Sequence, residues 1–282
     1  KDLNNLKESG TRIISGLIFA GVFIASLYTH VSFAVLTFIF GIISTKEFNK
    51  LTNQRGIGYY ISFSILYIYF SITEYYLNSN QELNSWFNDL KDTILIFSIF
   101  VSLFLLRDLF SSKNLPGILV QKYFRFIFYI TSSFIFIYLI ANFNGFYDPS
   151  IILGCFILIW FNDSFAYIIG KSIGKQKLFY RVSPHKTVEG FLGGLLFCCI
   201  SASVVSRYID DTLSTPNWLT IAIIVSVFGT LGDLIESKLK RESNVKDSGK
   251  IMPGHGGILD RLDSVIFASP YIYLFLKFIW YV

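Results

Sequence analysis

Residues 232–263 hold the chain's densest set of groups able to handle phosphate and metal. Asp233 and Glu236 stand three residues apart, on one face of a helical segment, with Lys240 a turn further on. Asp260 and Asp263 repeat that spacing at the start of the last apolar stretch. Acids this close repel one another unless a cation joins them. Hard oxygen donors favour Mg²⁺, which binds through one or two carboxylates plus substrate phosphates. Interleaved Lys238, Lys240, Arg241, Lys246 and Arg261 can neutralise a triphosphate. The Gly254-His255-Gly256-Gly257 turn can bring backbone N–H groups close to phosphate oxygens, just before a helix N-terminus. A solvated polar loop would explain any one of these residues. It does not explain so many Gly, Asp and basic residues in one short span.

A second polar set lies earlier. Asp163 sits inside an apolar segment, in Trp160-Phe161-Asn162-Asp163-Ser164. An ionised Asp in a membrane span costs about 2.5–3.5 kcal/mol on insertion scales, so it should face a partner or a cavity. A structural polar contact between helices is the other reading of Asp163. Gly170 and Gly174 follow, then Ser183-Pro184-His185-Lys186-Thr187, then Glu189-Gly190. Lys186 also reads as a membrane-boundary cation.

Taken together, these stretches resemble the phosphatidate cytidylyltransferase family. The resemblance rests on Ser237-Lys238-Leu239-Lys240-Arg241, Lys246-Asp247, Pro253, His255-Gly256-Gly257, Asp260-Arg261 and Asp263, a run of 27 residues with the family's spacing throughout. Gly232-Asp233 and Glu236-Ser237 ahead of it fit as well. Ser183-Pro184-His185-Lys186-Thr187 departs at His185, where the family usually has Lys. The likeness covers Asn162 to Asp263. The first half matches only in being hydrophobic and in opening with a basic residue before Ile13-Ile14-Ser15-Gly16.

The elements that must position these residues are membrane spans. Of 282 residues, 53% are hydrophobic, 18% aromatic and only 15% charged, against about 25% charged in soluble domains. The apolar residues come in blocks, near 12–28, 30–45, 57–73, 93–110, 122–142, 150–170, 187–206, 217–236 and 263–282. A span needs about 20 residues, and lipid-exposed backbone must bond internally, so each block is read as a helix. The expected fold is all-α: a polytopic transmembrane bundle of about nine spans with a cytoplasmic N-terminus. Five spans fill an N-terminal region, 1–142. Four spans and two motif loops fill a catalytic region, 143–282. The first block, after Lys1, Lys7 and Arg12, is read as a retained anchor. Thr29 and His30 leave room only for a tight hairpin between the first two spans. Pro116, Pro149, Pro184, Pro216 and Pro253 fall between blocks, and Pro270 inside the last one should kink it. Cys155, Cys198 and Cys199 lie in apolar stretches and read as packing residues.

Basic residues test the count. Of the 24 Lys and Arg, all but Lys91, Arg207 and Lys277 fall on the inner side. That includes Lys113 in the third inner loop. The pattern obeys the positive-inside rule and puts both motif loops on the cytosolic side.

The resemblance implies transfer of the cytidylyl group of CTP to phosphatidate, at the inner face of what is expected to be a bacterial plasma membrane. It implies Asp233, Asp260, Lys246 and Arg261 as catalytic residues. Asp233 and Asp260 are first-choice metal ligands; Asp163, Asp247 and Asp263 are candidate further ligands or outer-shell groups. Ser183, Lys186, Thr187, Lys240, Arg241, His255, Gly256 and Gly257 are expected to bind substrate. Mg²⁺ is the expected cofactor, with room for a second cation such as K⁺. A homodimer is the expected assembly, and no nucleic-acid partner is expected. Two enzyme alternatives are weaker. A CTP-using lipid-alcohol kinase would lack the His-Gly-Gly to Asp-Arg-x-Asp run, and the Asp-Gly-x-x-Ala-Arg motif of CDP-alcohol phosphotransferases is absent. A cation transporter would spread charges through several spans, whereas here the acids gather at one face.

Overall fold

The computed structural model describes residues 2–77, 81–110, 121–143, 145–210 and 212–281. Lys1, Lys113 and Pro116 lie outside the described residues. Nine helical segments succeed one another within them: α1 (Asp2–Ser26), α2 (His30–Leu51), α3 (Gly58–Leu77), α4 (Gln81–Phe110), α5 (Lys122–Ile140), α6 (Pro149–Ile173), α7 (Val188–Tyr208), α8 (Thr215–Glu242) and α9 (Leu259–Tyr281). A π-helical turn, Ile127–Thr131, interrupts α5. Among the described residues, seven of these helices are long and apolar enough to cross a membrane: α2 and α4–α9. The apolar part of α1, Gly10–Ser26, is shorter, and α3 is diluted by Tyr and Ser. The chain is an all-α, multi-pass membrane protein.

Local chemistry sets the helix starts. Thr29 caps α2 through a capping box with Ser32, which makes the α1–α2 hairpin tight. Pro149 and Pro216 sit in the first turns of α6 and α8, where a missing N–H costs nothing. Thr187 caps α7, its Oγ1 accepting from Gly190 N at 3.1 Å. Pro270 lies inside α9. The second expected block ends too early: α2 runs on to Leu51, because Glu47 and Phe48 are buried.

The helices that carry the motifs pack closely. A Cβ on Gly190 of α7 would stand 2.7 Å from Ala166 O of α6. One on Gly232 of α8 would stand 2.7 Å from Asp263 O of α9. At the far end of α6, α7 and α8, buried Asp210 accepts from Ser150 Oγ (2.9 Å), Trp218 Nε1 (2.9 Å) and Leu213 N (3.2 Å). Aromatic residues such as Phe33, Phe48, Phe63, Phe126 and Trp218 fill the interior. Cys155 and Cys198 are buried and Cys199 half-buried, all as free thiols. One feature outside the expected architecture is a small antiparallel hairpin after α6, β1 (Lys177–Phe179) with β2 (Ser183–Thr187).

Candidate active site

One cavity of about 690 Å³ draws on both motif stretches. Asn162, Asp163, Ala166, Tyr167, Gly170 and Lys171 of α6 line one side. Lys177, Leu178, His185, Lys186 and Thr187 enter from the hairpin, and Gly190 and Phe191 from α7. Thr230, Asp233 and Lys240 come from α8, Asp247 from the following loop, and Asp260, Arg261 and Asp263 from α9. Residues a hundred positions apart in the chain thus share one polar chamber, and Asp163 is exposed to it.

The hairpin aims Lys186 because both its ends are anchored. Glu189 in the first turn of α7 accepts from Lys175 N (3.0 Å) and Gln176 N (3.1 Å). Thr187 is fixed as the cap of α7. Lys186 then reaches across to form an ion pair with Asp233. Asp233 also accepts from Ser237 Oγ at 3.1 Å, one turn along α8.

Lys240 joins the two acidic pairs. Its Nζ lies 2.7 Å from Glu236 Oε2 and 2.7 Å from Asp260 Oδ1. The other oxygen of Asp260 accepts from Gly257 N (2.7 Å), Ser248 N (2.9 Å) and Ser248 Oγ (2.9 Å). Asp260 thereby closes the loop on itself while pointing its outer oxygen at the cavity cation. Asp263 is buried close behind, accepting from the N–H of Ser264 at 2.7 Å.

A matching family profile follows on this geometry: that of the Cytidylyltransferase family, over residues 10–279. The chain belongs to the cytidylyltransferase family. Among its relatives, a protein of Staphylococcus haemolyticus named phosphatidate cytidylyltransferase is 34% identical over 269 residues, covering 94% of this chain and 96% of its own. One of Staphylococcus saprophyticus with the same name is 41% identical over 199 residues, 70% of this chain and 73% of the relative. A Bacillus subtilis protein, again so named, is 45% identical over 148 residues, 52% and 55% of the two chains.

In this cytidylyltransferase the expected site residues divide. Asp163, Lys186, Thr187, Asp233, Lys240, Asp247, Asp260, Arg261 and Asp263 line the cavity. Ser183, Arg241, Lys246, His255, Gly256 and Gly257 do not. Arg241 and Lys246 are exposed, next in sequence to the cavity residues Lys240 and Asp247. The turn expected to cradle phosphate has its amides engaged within the protein. His255 N and Gly256 N donate to Met252 O (3.0 and 3.1 Å), and Gly257 N to Asp260. His255 faces α1 instead, with Nδ1 at 2.6 Å from Ser15 Oγ. Burial lowers the imidazole's pKa, and the nearby Arg261 and Arg12 guanidiniums lower it further. The sequence did not single out Tyr167, Lys171, Lys177 or Thr230, because one amphipathic position looks like another until α6, α8 and the hairpin enclose a space. It also gave no sign of Glu47, described below.

The donor set fits Mg²⁺ bound together with substrate phosphate. Among the described residues no three His, Cys, Asp or Glu side chains stand close enough to enclose an ion. One or two carboxylates together with substrate phosphate oxygens would hold the ion, as Mg²⁺ commonly allows. Glu236 Oε1, on the carboxyl group whose other oxygen meets Lys240, is buried and without a hydrogen-bond partner.

Proposed function

We propose that the chain transfers the cytidylyl group of CTP to phosphatidate, giving CDP-diacylglycerol and pyrophosphate. The observation that carries this reading is the shared cavity. Acids and cations from the 163–187 and 233–263 stretches meet there, in a multi-pass membrane protein of the cytidylyltransferase family. CTP is water-soluble and phosphatidate is not, so a chamber at a membrane boundary is where both can meet.

The reaction forms a bond from a phosphatidate oxygen to the α-phosphorus of CTP and breaks the α–β phosphoanhydride. The electron pair leaves with pyrophosphate. The attacking phosphate is already anionic near neutral pH, so no enzyme base is required. The work left to the chain is positioning and charge stabilisation. Lys186, Lys240 and Arg261 would hold phosphate oxygens. An arriving triphosphate offers Lys186 an anion in place of Asp233, and Lys240 one in place of Asp260. Both exchanges release a carboxylate oxygen. Asp233 and Asp260 are then the first-choice holders of Mg²⁺, with Asp163, Asp247 and Asp263 behind them; K⁺ is a candidate second cation. When bound, such an ion supplies Lewis-acid stabilisation of the charge passing to pyrophosphate. Arg241 and Lys246, exposed and next in sequence to Lys240 and Asp247, would meet the triphosphate or the lipid phosphate as it enters.

The reading includes a cytoplasm-facing site in a bacterial inner membrane and a homodimer. Thiol labelling of single-cysteine variants at Lys250 and Arg207 in intact cells tests the first, and cross-linking in membranes the second. The activity itself is tested with purified protein in detergent, CTP, phosphatidate and Mg²⁺. Mass spectrometry should find CDP-diacylglycerol. Phosphorylated polyprenol formed from CTP, with no CDP-diacylglycerol, overturns the reading in favour of a lipid-alcohol kinase.

A further inference from the structure

Glu47 is a buried acid that none of this chemistry uses. It lies near the end of α2, in the half of the chain that carries no motif, and only 4% of it is exposed. Its carboxylate reaches across the fold to the last motif. Oε2 accepts from Leu259 N at 2.7 Å, and Oε1 from Ile258 N at 3.3 Å. These amides open α9, where the first N–H groups have no partner within the helix. The positive end of the helix dipole favours an anion there.

The contact extends to a cavity acid. Ser248 Oγ lies 3.3 Å from Glu47 Oε2 and 2.9 Å from Asp260 Oδ2, so one buried hydroxyl stands between the two carboxylates. Two glycines make the approach feasible. A Cβ on Gly257 would stand 2.6 Å from Glu47 Cδ, and one on Gly249 2.8 Å from it. Gly257 therefore has a physical reason to lack a side chain that does not involve phosphate.

We propose that Glu47 is a positioning residue for the nucleotidyl-transfer site. It fixes the 246–259 loop and the first turn of α9, and through Ser248 it sets the orientation of Asp260. This inference rests on the activity proposed above. Glu47 touches no substrate; it holds the segment that presents Asp260 and Arg261 to the cavity. A Gln at this position would turn an NH₂ group toward backbone donors and lose part of the anchor. An Asp would keep the charge at shorter reach.

The test uses the full chain in detergent, comparing wild type with Glu47→Gln and Glu47→Asp. Supporting outcomes combine three readouts. The kcat falls by about 10- to 100-fold in Glu47→Gln, the range for losing a supporting contact behind a site, while KM for phosphatidate stays within about two-fold. Glu47→Asp recovers part of the loss. Trypsin cuts faster after Lys246 and Lys250. Asp210→Asn is the control: it disturbs a buried carboxylate at the opposite end of α8, and should lower the melting temperature without changing kcat at a temperature where it is folded. Wild-type kcat in Glu47→Gln overturns the proposal. So does a rate loss that only tracks lost folded protein, with tryptic cleavage unchanged. If Glu47→Gln does not fold, Ser248→Ala decides. A lower kcat at unchanged KM supports the anchor, and an unchanged kcat overturns it. Should the wild type make no CDP-diacylglycerol while Glu47→Gln still speeds cleavage, the anchor stands and the proposed activity fails.

Discussion

Lys186 of the hairpin and Asp233 of α8 form an ion pair on the wall of the cavity. The two residues stand on elements separated by the whole of α7, and the pair bonds the two motif stretches directly. Its side chains remain 27% and 35% exposed. Pairs this open contribute about 0–1 kcal/mol to stability, so its value lies in charge placement rather than in holding the fold.

Replacing Asp233 by Asn should therefore separate function from folding. Turnover is expected to fall by about 10²-fold or more, the range for removing one preorganised electrostatic group. The melting temperature in detergent should stay near that of wild type. Near-normal turnover in purified Asp233→Asn would remove this residue from the proposed Mg²⁺ ligands.

Asp260 should behave differently. Its side chain is 4% exposed and that of Lys240 12%, and it also closes the loop through Gly257 and Ser248. Removing one partner of a buried pair costs about 3–5 kcal/mol. Asp260→Asn is expected to lose both activity and thermal stability, and to expose the 246–259 loop to trypsin. A variant as stable as wild type would show that the Lys240 contact does not hold the loop.

Metal dependence is tested by removal. EDTA should abolish CDP-diacylglycerol formation, and Mg²⁺ should restore it. Because the carboxylates available are few and phosphate oxygens would complete the shell, Mg²⁺ should bind more tightly in the presence of CTP than without it. Isothermal titration of Mg²⁺ with and without CTP reads this. Equal affinities would sink the shared-shell arrangement.

The approach of α7 to α6 gives a packing prediction. A Cβ on Gly190 meets Ala166 O at 2.7 Å and Thr187 Oγ1 at 3.0 Å. Overpacking of this kind costs about 1–3 kcal/mol. Gly190→Ala should lower the melting temperature. It should also raise KM for CTP, because Thr187 and Lys186 move with the start of α7. Unchanged values would mean that the helices part without disturbing the hairpin.

His255 supplies a pH prediction. Burial first, then Arg261 and Arg12, lower its pKa from the ordinary 6.5. The native state therefore disfavours the imidazolium. The stabilisation is fully present above about pH 6.5 and is lost as pH falls from there through the lowered native value. Melting temperatures measured between pH 7.5 and 5.5 should fall more steeply for wild type than for His255→Gln. Parallel curves would show that the histidine is not shielded at its contact with Ser15.

Much of the architecture was legible because lipid imposes a coarse rule. Among the described residues the nine apolar blocks became nine helical segments, with Thr29 and Pro149 marking two of their starts. The acids at 233, 260 and 263 stood out because like charges in close spacing require a reason. What escaped depended on partners distant in the chain. Glu47 looks like one more charge beside Lys46 until α9 is seen to begin on it. The amides of Gly256 and Gly257 look free for phosphate until Met252 and Asp260 are seen to accept from them. The hairpin escaped because strands of three and five residues carry too little pattern.

The contact between Glu47 and Leu259 has a consequence for any attempt to cut the gene in two. A break near residue 143 would leave the second product with α9 starting on bare amides and Ser248 facing only one acid. The first product would carry a buried charge with nothing to receive. Neither polypeptide alone should make product, while the pair produced together in one membrane should, since the missing bonds lie between side chain and backbone rather than along the chain.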